Sequence, residues 1–287
     1  MKGNYYEVQI TFNKQNYEAL YNQLYLTGIE NILEEDGIIK IYFGDDASDK
    51  INSLKSSLLE EKIIHVQDFH YEKLENKNWN AEWEISIEPV YIKNKIIIFP
   101  SWKKNELKNF ENQILIEIDP KMSFGTGHNE TTQLVLEMMS EHIKGDEYKL
   151  LDFGTGTGVL TIAGIKLGVA SAVAIDTDDD AIENAEEYFR INSTSEKVKL
   201  IKSNIGELEE TLFDIICANI IRSVIVDNFD HIDNKLKVNG KLFLSGILNS
   251  EEQVILDLLF QNDYEVKEIL TKSEWIGIYA VKKIGAC

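Results

Sequence analysis

Leu150-Leu151-Asp152-Phe153-Gly154-Thr155-Gly156-Thr157-Gly158, followed by an acid at Asp176, is the stretch on which the fold turns. It reads as a buried strand, a glycine turn, a helix and a second strand that ends in a carboxylate. Glycines placed where a Cβ would collide let the backbone approach a ligand closely. A carboxylate at the end of the next strand can accept hydrogen bonds from a ribose diol. The pattern points to a nucleoside-containing ligand.

Spacing narrows the ligand. A dinucleotide fingerprint is G-x-G-x-x-G, with the pyrophosphate resting on the helix N-terminus. Here the glycines run G-x-G-x-G, and Val159 stands where the third dinucleotide glycine would be. A carboxylate at Asp152 repels a pyrophosphate but attracts a sulfonium or an amino group. A cationic, phosphate-free nucleoside fits best, which points to S-adenosylmethionine.

From residue 132 onward the chain alternates. Helical periodicity over 132–142 precedes the strand at Leu150, and helices are expected over 160–167 and 180–192, with strands over 172–175 and 198–201. A strand over 213–218, a helix from Ser223, a strand over 241–245 and a helix over 251–261 follow. Strands over 264–270 and 275–282 then close the chain with no helix between them. Alternating β and α units imply a parallel sheet with helices on both faces, here a Rossmann-like α/β sheet. The terminal antiparallel hairpin is a habit of S-adenosylmethionine methyltransferases rather than dehydrogenases.

The first 75 residues have a different rhythm. Tyr6, Val8, Ile10 and Phe12 alternate as a half-buried strand, and Tyr17, Leu20, Tyr21, Leu24 and Tyr25 fall on one helical face closed by Gly28. Residues 29–33 and 38–43 around Asp36-Gly37 read as a hairpin, Ile51, Leu54 and Leu58 mark a second helix, and 63–69 a last strand. This βαββαβ order predicts a small ferredoxin-like α+β domain over 1–75. It carries no catalytic cluster, so it reads as a recognition module or a structural appendage. Residues 76–90 form a linker in which Trp79 and Trp83, at i and i+4, would share one side of a short helix. Strands over 91–99 and 114–118 lead into a catalytic domain over 91–287.

Composition excludes several function classes. A formal charge of −20 leaves no basic stripe to displace counterions from nucleic acid, while a basic protein partner is compatible with it. The polar, strand-like start is not a signal peptide, and no apolar run approaches the ~20 residues of a spanning helix, so a cytoplasmic protein is expected. Cys217 lies in an apolar strand and Cys287 at the end, without metal-ligand spacing or a disulfide context, and no metal is expected.

Ligands of such sheets sit at the carboxyl ends of the strands. Candidate residues cluster there: Asp152, Gly154, Gly156 and Gly158, then Asp176, then Asn219 at the end of an apolar strand, where a side-chain amide can accept from and donate to an amine. Upstream, Phe124-Gly125-Thr126-Gly127 suits a loop that folds over a ligand, and Thr131 or Thr132 would cap the helix that follows. His128 reads as a solvated or structural histidine rather than a general base.

The segment from Asp119 to Thr132, the Asp152-Phe153-Gly154-x-Gly-x-Gly turn, Ala218-Asn219-Ile220, Leu244-Ser245-Gly246-Ile247 and Glu274-Trp275 together resemble the PrmA family of ribosomal protein L-eleven methyltransferases. The resemblance covers nearly the whole chain, strongest from Trp79 onward. It implies a class I methyltransferase that moves methyl groups from S-adenosylmethionine to lysine ε-amines and the N-terminal α-amine of that ribosomal protein. It also implies that the front domain grips the substrate and that Thr132, Gly154, Asp176 and Asn219 touch the cofactor. One departure stands out. The family loop places histidine two residues after its second glycine, where this chain has Asn129, with His128 beside it. Three rival readings predict another amine acceptor, a dinucleotide oxidoreductase, or a non-catalytic module on the ribosome.

Overall fold

A computed structural model describes residues 5–27, 29, 32–35, 37–44, 47–74, 87–107, 112–119 and 127–284. Two compact units divide the chain, Met1–Ser86 and Ile87–Cys287. The boundary falls inside the expected linker. Trp79 and Trp83, Phe124, Gly125 and Thr126, and Cys287 lie outside the described residues.

The first unit runs β1 (Tyr5–Thr11), α1 (Tyr17–Leu26), β2 (Leu33–Glu35), β3 (Ile38–Gly44), α2 (Ser48–Glu60) and β4 (Phe69–Leu74). Its sheet order is β2-β3-β1-β4 with every pair antiparallel, the arrangement of a split βαβ unit. Val8 and Ile10 alternate inward from β1 onto Leu20 and Leu24 of α1 and Ile51, Leu54 and Leu58 of α2. Tyr25 is 74% exposed, so the tyrosine expected on the apolar face of α1 lies outside the core.

Two local expectations here are corrected. The first hairpin strand spans Leu33–Glu35 instead of 29–33. The last strand starts at Phe69, because Val66–Asp68 forms a 3₁₀ turn in which the Asp68 carboxylate accepts the His65 N–H at 2.8 Å. A capping hydrogen bond there outweighs the β preference of Ile63, Ile64 and Val66.

The second unit carries two sheets. In the smaller one β5 (Val90–Ile92) and β6 (Ile96–Phe99) form a hairpin, and β7 (Ile114–Glu117) lies parallel to β6. The larger one has seven strands: β8 (Lys149–Phe153), β9 (Ser171–Asp176), β10 (Val198–Lys202), β11 (Phe213–Asn219), β12 (Leu236–Leu248), β13 (Tyr264–Lys272) and β14 (Trp275–Lys282). Their order is β10-β9-β8-β11-β12-β14-β13, and only β14 runs against the rest. The order reverses between β8 and β11, the switch point at which such sheets open a crevice.

Strand residues alternate between two cores. Leu150, Ile215 and Cys217 pack with α3 (Glu130–His142), α4 (Val159–Lys166) and α5 (Asp179–Ile191). Leu151, Ile216 and Ala218 pack on the opposite face with α6 (Arg222–Asp227), α7 (Phe229–Lys235) and α8 (Glu252–Gln261). Helix α3 starts at Glu130 with Asn129 as N-cap, so neither Thr131 nor Thr132 caps it, and both are buried instead. Strand β12 begins five residues before the expected 241, and two short helices replace the single one expected after 223.

Edge strand β7 is held by a side chain that mimics a strand. Asn192, just past α5, accepts the Glu117 N–H at 2.9 Å and donates to the Glu117 carbonyl at 2.8 Å and to the Tyr188 carbonyl at 3.0 Å. Asn192→Ala removes this partner from both Glu117 backbone groups in a partly buried setting, while the Tyr188 carbonyl keeps the N–H of residue 192, and is expected to cost about 2–4 kcal/mol. Urea denaturation that reads a lower midpoint at unchanged slope bears this out. An unmoved midpoint contradicts it.

Candidate active site

Register places the expected residues in one row. Phe153 pairs with Ile175 on one side and with Ala218 on the other, so the next residues, Gly154, Asp176 and Asn219, stand level across three strands. Asn219 in turn pairs with Ser245 of β12. Residues 22 to 65 positions apart thus meet at the carboxyl ends of β8, β9 and β11, at the switch point.

The glycine turn is built from positive φ. Gly154, Gly156 and Gly158 have φ of 77°, 54° and 81°. A Cβ on Gly158 would stand 2.4 Å from Cε1 of Phe189, so this glycine lets α4 pack against α5. The turn is tied down from both sides. The N–H groups of Gly154 and Thr155 both donate to the Ile175 carbonyl at 3.0 Å, and that of Gly156 donates to Asp176 Oδ2 at 3.0 Å. Asp176 Oδ1 accepts the N–H groups of Thr177 and Asp178 at 2.8 and 3.1 Å. The Asp176 carboxylate is therefore fixed in orientation yet only partly buried, as a group that accepts from a ligand hydroxyl must be.

Asp152 lies beneath the turn and is 1% exposed. Its Oδ2 accepts three hydrogen bonds, from the hydroxyls of Thr155 and Thr161 at 2.8 and 2.7 Å and from the Thr161 N–H at 3.2 Å. Its Oδ1 is buried without a hydrogen-bond partner. Burial pushes its carboxyl up to about 6, the hydrogen bonds from Thr161 and Thr155 pull the other way, and the nearby charge of Asp176 adds to the rise. Its strand neighbour Cys217 is buried, and burial followed by the Asp152 charge raises its thiol well above the ordinary range. That thiol is inert at neutral pH.

Asn219 is joined to α3. Its Nδ2 donates to Thr132 Oγ1 at 3.0 Å, which fixes the amide plane and turns the carbonyl end toward other partners. Gly127 packs on Ile98 at the end of the loop, with φ 83°, and the His128 ring bonds the Glu88 carbonyl at 3.0 Å, a structural tie. The structure adds Thr155 and Thr161, which the sequence reading passed over. A threonine in a turn and one in the first turn of a helix look alike in sequence whether the hydroxyl faces solvent or a buried carboxylate.

Charge decides what can sit in this row. Residues 152–158, 176–180 and 219–221 contain five aspartates and no lysine or arginine. A phosphate-bearing ligand would meet a net negative charge there, whereas a cationic nucleoside meets one partly exposed and one buried carboxylate in addition to the acids that follow β9. The residues present fit S-adenosylmethionine. Elsewhere, a groove of about 880 Å³ runs along α5 and β10 between Ile182, Glu186, Phe189 and Leu200, apart from the row. Among the described residues one trio, Glu141, His142 and Glu268, brings potential metal ligands together, but Glu141 already pairs with Lys93 at 2.7 Å and His142 with Glu268 at 2.6 Å.

Comparison with known proteins agrees with the geometry. The model of the family described as ribosomal protein L11 methyltransferase (PrmA) matches residues 6–283. A ribosomal protein L11 methyltransferase of Chlorobaculum parvum is 35% identical over 281 residues, which cover 96% of this chain and 95% of that protein. One from Acetivibrio thermocellus is 32% identical over 256 residues, 86% of this chain and 80% of that one. The crystal structure of a ribosomal protein L11 methylase from Lactobacillus delbrueckii subsp. bulgaricus superposes with a TM-score of 0.63 at 28% identity, over 69% of this chain and all of that one. With a switch-point row suited to a sulfonium nucleoside and a family match from end to end, the chain belongs to the ribosomal protein L11 methyltransferase family, and S-adenosylmethionine is its methyl donor.

Proposed function

We propose that this chain methylates ribosomal protein L11 in the cytoplasm, on lysine ε-amines and on the N-terminal α-amine. The observation that supports the reading is the level row of Asp176, Gly154 and Asn219, an acid, a positive-φ glycine turn and an amide held by Thr132, in a chain of the ribosomal protein L11 methyltransferase family. Thr132, Asp152, Gly154, Gly156, Gly158, Asp176 and Asn219, with the loop Phe124-Gly125-Thr126-Gly127, make up the donor site. The ferredoxin-like unit recognises the substrate protein; it has its own core and no catalytic cluster among its described residues. The strong negative charge of the chain suits a basic protein and disfavours a nucleic acid. No described helix is long and apolar enough to cross a membrane.

Bound S-adenosylmethionine supplies an electrophilic methyl on a positive sulfur. The protein's part is alignment of the amine with that methyl and management of charge. A lysine amine with pKa ~10.4 arrives protonated and must lose a proton to solvent before its lone pair can attack. Burial beside a cation disfavours the ammonium, so desolvation does the work of a dedicated base. Asn219, held through Nδ2 by Thr132, offers Oδ1 to an N–H of the neutral amine and so aims the lone pair. The Asn219 amide oxygen would also stabilise the positive charge that develops on the acceptor nitrogen.

Incubation of the purified chain with methyl-labelled donor and total ribosomal proteins tests the reading: label is expected in L11, and label confined to other acceptors overturns it. Asn219→Ala is expected to lower turnover on the order of 100-fold, with a much smaller loss of donor affinity. Full turnover in that variant contradicts the assignment.

Asp152 makes donor binding pH-dependent. A bound cation favours the ionised carboxyl, so affinity should rise as pH climbs from about 5 through about 6 and level off near 7. Asp152→Asn should flatten that rise and weaken binding on the order of tenfold. Calorimetric titration across this range reads both, and an undiminished slope in the variant removes Asp152 from the account.

A further inference from the structure

Between Asn219 and helix α6 the chain passes through two isoleucines whose placement the function above does not use. Ile220 is seated between two glycines. Its Cγ2 lies 2.5 Å from where a Cβ on Gly154 would stand, and its carbonyl oxygen lies 2.3 Å from the corresponding point on Gly246. Gly246 has φ 82° and sits at the bulge where β12 slips against β14 between Leu244 and Ile247. A side chain at either glycine would push Ile220 aside. The donor turn of β8, the end of β11 and the bulge of β12 therefore interlock on one residue.

The seat leaves the next side chain outside. Ile221 is 64% exposed, yet its backbone is fixed, because its carbonyl accepts the N–H groups of Val224 and Ile225 at 3.0 and 3.3 Å as α6 begins. An ion pair from Arg222 Nε to Glu251 Oε1 at 2.9 Å fastens the start of α6. Exposed apolar side chains scattered singly over a surface mean little. This one is held in place two residues past the amide that receives the amine, at the open end of the parallel sheet.

We infer that Ile221 is a specificity-determining residue for the acceptor, an aliphatic rest against which the methylene stem of a lysine packs while its amine reaches Asn219. The inference builds on the proposed lysine methylation and names the chemistry that the acceptor must present. An unbranched alkyl stem gains contact with an aliphatic side chain, and a short polar acceptor gains none. Residues 219–221 offer no aromatic face on which a planar base would stack.

Steady-state kinetics with L11 as acceptor, paired with calorimetric donor binding, provide the test for Ile221→Ala, Ile221→Ser and Ile221→Leu. Truncation to Ala or Ser is expected to raise the KM for L11 roughly tenfold while kcat falls less than twofold and donor affinity stays put, and Ile221→Leu is expected to restore the KM. The side chain is exposed, so unchanged thermal melting should accompany the effect. A wild-type chain that labels L11, combined with an Ile221→Ala variant of unchanged KM, overturns the inference alone. A wild-type chain that transfers no methyl to L11 overturns the reading beneath it and this inference with it.

Discussion

The buried carboxylate of Asp152 is the interaction on which the site depends. Removing a carboxylate from water costs several kcal/mol, and the three hydrogen bonds that Oδ2 accepts from Thr155 and Thr161 offset much of that cost. In return they bend the chain after β8 back over its own strand and set the first turn of α4. The glycines then supply the backbone angles that this bend requires. Oδ1 is buried without a hydrogen-bond partner, and burial holds the carboxyl above its ordinary range. In the proposed function the same side chain serves the fold and, through its charge, the cationic ligand.

Around that point the sheet does the positioning. Parallel strands bring their carboxyl ends to one edge, and the reversal of order between β8 and β11 opens the crevice there. Strand register then sets chemistry side by side: an acid from β9, a glycine from β8, an amide from β11. Helix α5 reaches from the site to the smaller sheet, since Tyr188 Oη donates to the Asp119 carbonyl and Asn192 bonds both backbone groups of Glu117. Helix α5, which follows Asp176, thereby fixes Asp119.

Much of this was legible in the sequence. The glycine spacing, the acid at Asp176 and the polar end of an apolar strand at Asn219 are local signals with one physical meaning each, and α/β alternation orders them. Other features were hidden because they depend on partners far away in the chain. Asn192 looks like a helix C-terminal residue, and only the nearby edge of β7 makes it a strand mimic. The aliphatic run at 63–66 looks like a strand, and the Asp68 cap turns it into a 3₁₀ corner. The cation-attracting charge of the acid in the glycine motif could be read from the sequence, but not its burial or the two threonines that bond it beneath the turn. Gly246 could be seen, but not the Ile220 carbonyl that it accommodates.

The central claim is that one crevice, at the row of Asp176, Gly154 and Asn219, holds the sulfonium nucleoside and faces the acceptor. A crystal structure of the chain with S-adenosylhomocysteine tests it most directly. The account predicts the ribose hydroxyls on the Asp176 carboxylate, the nucleoside against the glycine turn and the sulfur directed toward Asn219. A ligand seated elsewhere, or one whose sulfur faces away from Asn219, would contradict it.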